Sequence, residues 1–91
     1  MSVKVKIPTQ LRSVAGGDAE VDVDGAETVG EALEHLFERH GELRERMVED
    51  GELRRFVNVY LNGEDVRFLD GLATAVPAGA ELTILPAVAG G

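Results

Sequence analysis

One long amphipathic helix is predicted in this chain, and it constrains the fold more than any other feature. Residues 28–31, TVGE, form a capping box, in which the Thr28 hydroxyl accepts from the Glu31 amide and the Glu31 carboxylate reaches back to the Thr28 amide. The apolar residues that follow recur at the spacing of one helical face: Val29, Ala32, Leu33, Leu36 and Phe37. A helix with one such stripe must bury it against another layer, and the rest of the chain offers a sheet.

The other main segments alternate apolar and polar residues with a period of two, which predicts half-buried strands. These segments are residues 2–7, 20–24, 56–61, 66–68 and 82–85. A glycine turn at residues 16–18 joins the first two strands into a hairpin, and Asn62-Gly63 predicts a second hairpin. Between the main helix and the third strand, the apolar residues of 43–48 predict a shorter helix that runs to Gly51.

The predicted order is strand, strand, helix, strand, strand, strand, which is an α+β plan. If the first and last strands lie side by side in the middle of the sheet, they are parallel and need a crossover that the helix covers. This arrangement is the ubiquitin-like β-grasp fold, a mixed sheet with one main helix packed on one face. With 91 residues, no repeat and no linker, we expect a single domain over residues 1–91, of which 86–91 form an extended C-terminal tail.

The tail is the first candidate for function. The sequence closes with LPAVAGG, residues 85–91, and we expect it to end there on a free carboxylate. Pro86 lacks an amide hydrogen, so a strand ending at Leu85 should release an extended segment. Gly90 and Gly91 lack a Cβ, so their backbone can enter a narrow slot. Two interpretations remain: another enzyme acts on the Gly91 carboxylate, or this is a frayed end as in most domains.

The composition disfavours several other functions. The chain has no cysteine, hence no disulfide, thiolate nucleophile or sulfur-ligated metal. His35 and His40 lack the four-residue spacing that places two ligands on one helical face, so we expect no metal. A net charge of −8 disfavours nucleic acid and suits either a basic partner or simple solubility. Without a membrane-length apolar run or a secretory signal, we expect neither membrane insertion nor export, but a cytoplasmic protein with no permanently bound cofactor.

A candidate docking patch follows from the strand period. Residues 57, 59 and 61 should face the helix, together with residues 82 and 84. This leaves Phe56, Tyr60 and Leu85 on the uncovered face of the sheet. Large apolar side chains on such a face indicate an interface, here directly beside the tail. The alternative is that Phe56, Tyr60 and Phe68 cover one another as cross-strand pairs.

These residues also carry a resemblance that spans the chain. The sequence resembles the MoaD and ThiS group of ubiquitin-like sulfur carriers, including actinobacterial members that serve cysteine biosynthesis. A terminal Gly-Gly alone is a weak motif, but the same pair at the end of a β-grasp pattern is a strong one. The matching segments in the second half are RFVN (55–58), Tyr60, Asn62, EDVRF (64–68), GLAT (71–74) and ILPAVAGG (84–91).

The resemblance implies a chemistry for the tail. An E1-like adenylyltransferase and sulfurtransferase uses ATP to adenylate the Gly91 carboxylate, and sulfur then replaces AMP to give a C-terminal thiocarboxylate. Gly90 keeps the path open, and Val88 and Ala89 line the partner's channel. From the strand period, we expect Leu85, Tyr60 and Phe56 to dock on this E1-like enzyme. The missing cysteine is no obstacle, because the sulfur is carried on the main-chain terminus.

The resemblance also implies the acceptors. In the cysteine pathway, a cysteine synthase of the CysM type joins the thiocarboxylate to O-phosphoserine, and a zinc metallopeptidase releases cysteine. A similar carrier can feed another sulfur-accepting synthase that makes a natural product such as a thiosugar. The chain itself is then a co-substrate and not an enzyme. Alternatives are a ubiquitin-like modifier attached through Gly91, a MoaD-like small subunit of molybdopterin synthase, and an interaction module with an inert tail.

Overall fold

The computed structural model describes residues 2–54 and 57–86. Within these residues, one mixed sheet contains the strands β1 (Ser2–Lys6), β2 (Glu20–Asp24), β5 (Val57–Leu61), β6 (Glu64–Asp65) and β7 (Glu81–Pro86). Their order across the sheet is β2-β1-β7-β5-β6. The last strand, β7, is parallel to β1 and antiparallel to β5, so the first and last strands lie together at the centre of the sheet. This is the predicted β-grasp arrangement, and it is confirmed.

The main helix, α1 (Val29–Arg39), begins where the capping box predicts. The Thr28 hydroxyl accepts a hydrogen bond from the Glu31 amide at 3.1 Å. The Glu31 carboxylate accepts from the Glu27 amide at 2.8 Å rather than from the Thr28 amide, one residue further back than expected. The Glu31 amide in the first turn and the Glu27 amide just before the helix therefore both have side-chain hydrogen-bond acceptors. The whole predicted apolar stripe of α1 is buried.

The core lies between α1 and one face of the sheet. Alternate residues of β5 and β7, including Val59, Leu82 and Ile84, are fully buried there and belong to the same hydrophobic core as the equally buried Leu36 of α1. Their assignment to the helix-facing side, made from the period of two, is confirmed. Because the same alternation sends the intervening residues to the other face, the core fixes which side chains face outward.

The shorter helix ends earlier than predicted. α2 spans Gly41–Met47, and the residues after it form a small antiparallel hairpin of β3 (Val48–Glu49) and β4 (Glu52–Leu53). The two turn residues, Asp50 and Gly51, have φ values of 55° and 80°. Two consecutive positive φ values belong to a tight hairpin turn and cannot continue a helix, which explains why the prediction to Gly51 was wrong.

The return strand of the second hairpin is also shorter than predicted. β6 is only two residues long, and Val66–Phe68 form a 3₁₀ turn instead of a strand. The Asp65 carboxylate accepts from the Arg67 amide at 2.9 Å and starts this turn. A 3₁₀ turn has about three residues per turn, so two residues two positions apart no longer share a face. Val66 is accordingly buried, while Phe68 is 88% exposed.

Two further 3₁₀ segments, Thr9–Ala15 and Gly71–Ala73, lie in connections that the sequence did not mark as helical. The first one buries Leu11 and Ala15 before the glycine turn that leads into β2. Among the helices of the described residues, none combines the length and the apolar character that a membrane crossing needs.

Candidate functional site

The end of β7, Leu85 and Pro86, is the base of the tail, and β7 lies at the centre of the sheet. β7 pairs with β1 on one side and with β5 on the other, and its inward-facing Leu82 and Ile84 have no exposed surface. Centrally paired, buried segments are the last parts of a protein to open. The residues after Pro86 are therefore attached to a strand that is held in place on both sides.

Pro86 is the last residue of β7, one position further along the sheet than expected. It lies opposite Val57 of β5. Both backbone groups of Val57 bond elsewhere: its amide donates to the Arg54 carbonyl at 2.9 Å, and its carbonyl accepts from the Arg67 guanidinium at 2.7 Å. The position opposite Val57 therefore needs no amide hydrogen, which is why a proline is tolerated there.

Leu85 and Tyr60 lie on the uncovered face of the sheet, as predicted. Leu85 is 46% exposed and lies opposite Asn58, while Tyr60 is half-buried and lies opposite Thr83. These two pairs follow one another on this face of the sheet, with the inward-facing pair Val59–Ile84 between them. Leu85 and Tyr60 are therefore diagonal neighbours, a relation in which side chains can still touch. The structure thus brings together two of the three residues of the predicted patch, at the end of the sheet from which the tail departs.

The remaining predicted site residues fall outside the described part of the chain. They are Phe56, Val88, Ala89, Gly90 and Gly91, and their roles stay predictions. The alternative in which Phe68 covers Tyr60 from a neighbouring strand is wrong, because Phe68 belongs to a 3₁₀ turn and is itself almost fully exposed.

Ion pairs occupy one half of the uncovered face, and the predicted patch lies on the other half. Lys4 and Lys6 of β1 form ion pairs with Glu20 at 3.7 Å and with Glu81 at 3.4 Å. Half-exposed pairs of this kind contribute at most about 1 kcal/mol each to stability. They make the part over β1 and β2 the charged half of the face. The other half, over β5 and the end of β7, holds Tyr60 and Leu85, with Asp65 opposite Tyr60 and the Arg67 guanidinium bonded to Asn58.

Sequence reasoning missed one residue next to this site. The Arg67 guanidinium donates to the Asn58 side-chain oxygen, to the Arg54 carbonyl at 2.9 Å and to the Val57 carbonyl at 2.7 Å. An arginine just after a short hairpin gives no signal of such contacts, because its three acceptors lie 9 to 13 residues earlier.

Within residues 2–54 and 57–86, no three His, Cys, Asp or Glu side chains come together in a way that could hold a metal ion. His35 instead contacts the Asp24 carbonyl through Nδ1 at 2.9 Å. The described part of the chain also leaves no buried side-chain nitrogen or oxygen without a hydrogen bond. An unpaired buried polar group is a common sign of a ligand site inside a core. The candidate site of the described residues is therefore the surface around the end of β7.

Three comparisons with known proteins bear on this site. The ThiS family model matches residues 5–91. The sulfur carrier protein CysO of Mycobacterium tuberculosis is 48% identical over 94 residues, and the alignment covers 100% of both chains. Small archaeal modifier protein 3 of Haloferax volcanii is 45% identical over 92 residues, again with 100% of both chains covered.

Among solved structures, a chain in the crystal structure of the Amycolatopsis orientalis BexX/CysO complex superposes with a TM-score of 0.90. It is 49% identical to this chain, and the match covers 98% of this chain and 99% of that one. That relative was therefore captured together with another protein. The likeness extends to the whole β-grasp domain and is not limited to the glycine-rich end.

Proposed function

Because the chain belongs to the ThiS family and is a sulfur carrier of the CysO, ThiS and MoaD type, we propose that Gly91 carries the sulfur as a C-terminal thiocarboxylate. The observation that supports this most is full-length similarity to a carrier, in a chain whose central strand β7 is followed in sequence by residues 87–91, which close with Gly-Gly. In this proposal the chain is a co-substrate of other enzymes and acts in the cytoplasm, where ATP is available.

The chemistry has two steps. The Gly91 carboxylate attacks the α-phosphorus of ATP in an E1-like enzyme, pyrophosphate leaves, and an acyl adenylate forms. Sulfide then attacks the acyl carbon, the bond to AMP breaks, and a proton is released. Adenylation is needed because a carboxylate is a poor electrophile, and the thiocarboxylate that results is a more polarisable nucleophile than the carboxylate.

The intact mass of the protein tests this proposal. After incubation with ATP, sulfide and an E1-like enzyme from the same organism, we expect a gain of about 16 Da, the difference between sulfur and oxygen. The gain should require ATP and coincide with AMP release. An unchanged mass, with an E1-like enzyme proven active on another carrier, would rule the proposal out and leave an interaction module with an inert tail.

For the acceptor, we favour cysteine biosynthesis. The full-length similarity to mycobacterial CysO supports a synthase of the CysM type with O-phosphoserine, followed by a zinc metallopeptidase. A synthase for a sulfur-containing natural product, such as a thiosugar, is the second choice. The same mass measurement separates them, because only the first acceptor leaves a cysteinyl group on the carrier before the peptidase acts.

A second candidate function is protein modification. It is favoured by the similarity to small archaeal modifier proteins of Haloferax volcanii. It shares the adenylated intermediate and differs in the acceptor, which would be a lysine of another protein. Covalent conjugates of the carrier in cell extract would support it. A MoaD-like role in molybdopterin synthase, with the tail inserted into a catalytic subunit, is a further alternative.

We propose that Leu85, Tyr60 and Phe56 dock on the E1-like enzyme. In the double variant Leu85→Glu and Tyr60→Ala, the KM for the carrier in adenylation should rise at least about tenfold, because a carboxylate replaces an apolar contact and an aromatic anchor is lost. ATP–pyrophosphate exchange at varied carrier concentration measures this KM.

The matched control for the docking patch is the double variant Lys4→Ala and Glu20→Ala. It removes one ion pair from the charged half of the same face and leaves the net charge unchanged. We expect its KM to stay within about twofold of the unmodified protein. Equal changes in KM for the two double variants would contradict a docking site over β5 and the end of β7.

A further inference from the structure

Arg67 joins three acceptors that lie close together in space. Its Nη2 atom donates to the Arg54 carbonyl at 2.9 Å and to the Val57 carbonyl at 2.7 Å, and its Nη1 atom donates to the Asn58 side-chain oxygen. Arg54 and Val57 are themselves joined, since the Val57 amide donates to the Arg54 carbonyl at 2.9 Å. The guanidinium therefore ties together both backbone positions and a side chain at the beginning of β5.

The residues that Arg67 holds face the base of the tail. Val57 lies opposite Pro86, and Asn58 lies opposite Leu85. The short strand β6 pairs only with Tyr60 and Leu61, so it ends before it reaches this part of β5. In the described residues, the outer edge of β5 beside the tail is therefore held by a side chain where a longer β6 would supply backbone partners.

Arg67 is itself firmly placed. Its amide donates to the Asp65 carboxylate at 2.9 Å, and the preceding residue, Val66, is fully buried in the core. The Leu69 amide closes the turn on the Val66 carbonyl at 3.0 Å. The guanidinium is a planar fork with five N–H donors, so it can satisfy several acceptors in fixed directions, which a lysine ammonium cannot reproduce.

We propose that Arg67 is a positioning residue for sulfur transfer. By holding Val57 and Asn58 in register against Pro86 and Leu85, it fixes the position of the last residues of β7, from which the tail continues. This inference rests on the proposed function, because it takes the tail as the reacting segment. A base that is already ordered lowers the entropy that the tail loses when it enters the partner's active site.

The test compares Arg67→Gln and Arg67→Lys with Arg39→Gln. Arg39 is the matched control, because its guanidinium also donates to a carbonyl of a strand at the sheet edge, that of Asp22 in β2, at 2.9 Å. Both arginines are exposed, so neither substitution opens the core. The first readout is the ratio of amide hydrogen exchange rates at Leu85 and Thr83, two β7 residues opposite Asn58 and Tyr60 of β5.

In Arg67→Gln we expect Leu85 to exchange roughly tenfold faster relative to Thr83, because local opening near the tail becomes easier. A general loss of stability would raise both rates together and leave the ratio unchanged. The KM for the carrier in adenylation should rise about fivefold. Arg67→Lys should behave like Arg67→Gln, and Arg39→Gln should leave both the ratio and the KM unchanged.

Several results would overturn the inference. An unchanged ratio in Arg67→Gln would show that the guanidinium does not anchor the base of the tail. A raised ratio with an unchanged KM would show that the anchor has no part in the transfer. Full rescue by Arg67→Lys would assign the effect to charge alone. Absence of adenylation in the unmodified protein would overturn the proposed function instead, while the exchange ratio would still decide whether Arg67 anchors the tail.

Discussion

Deletion of Gly91 is expected to abolish formation of the thiocarboxylate. The shortened chain still ends in a carboxylate on glycine, but that carboxylate lies about 3.5 Å short of its normal reach along an extended backbone. Adenylation needs the carboxylate oxygen in near-attack contact with the α-phosphorus, so we expect at least about a thousandfold loss of rate. Intact mass and AMP release measure it directly, in the assay proposed for the unmodified protein.

The same deletion should leave the thermal midpoint of unfolding nearly unchanged. The buried core of the described residues ends with Ile84, and the sheet is paired through Pro86. A drop of more than about 5 °C on deletion would show that the tail is structural.

Gly91→Ala keeps the length of the tail and adds only a Cβ, so it tests whether the slot in the partner is narrow. Its matched control is Gly41→Ala, where an added Cβ meets no atom within 4 Å.

The largest effect on stability is expected for Leu36→Ala. Leu36 is fully buried in α1 and belongs to the core between the helix and the sheet. Removing its branched side chain loses the burial of that group and leaves a cavity, for a combined loss of about 3 kcal/mol in the free energy of unfolding. Because domains of this size have roughly 5–15 kcal/mol in total, the loss is a large share of it. Urea denaturation followed by circular dichroism measures the change.

Leu69→Ala is the matched control for Leu36→Ala. Leu69 is 40% exposed, so the same substitution there should lower the free energy of unfolding by less than about 1 kcal/mol. Similar losses at the two positions would contradict the description of the core. In conditions where Leu36→Ala remains folded, it should still be adenylated, since Leu36 lies on the covered side of the sheet and far in sequence from the tail.

The parts of the fold that depend on local pattern were predicted from the sequence. The capping box gave the start of α1, the period of two gave the inward faces of β5 and β7, and Asn62-Gly63 gave the second hairpin, where both residues have positive φ. The pairing of β1 with β7 followed from the element order. Each of these depends on contacts near in sequence or on a rule of chain connection.

The predictions that failed concern short segments in which two local structures compete: a strand with a 3₁₀ turn, and a helix with a hairpin. Val66 and Phe68 alternate like strand residues, but the Asp65 carboxylate accepts a hydrogen bond from the Arg67 amide, which favours a turn. The end of α2 was set by a hairpin at Asp50 and Gly51, whose glycine also suits a helix end. At the candidate site, the exposed side chains Leu85 and Tyr60 were predicted, whereas the contacts of Arg67 join segments that no local pattern connects.

Because both lysines lie on β1, chemical modification of lysine can detect which face of the carrier a partner covers. Lys4 and Lys6 are the only lysines in the sequence, and both lie half-exposed on the uncovered face of the sheet. A reagent that modifies lysine side chains therefore marks that face and leaves the helical side of the molecule untouched. Protection of both lysines in a complex would report a partner that covers the sheet, whereas immobilisation through the lysine side chains would present the helical side and conceal the sheet.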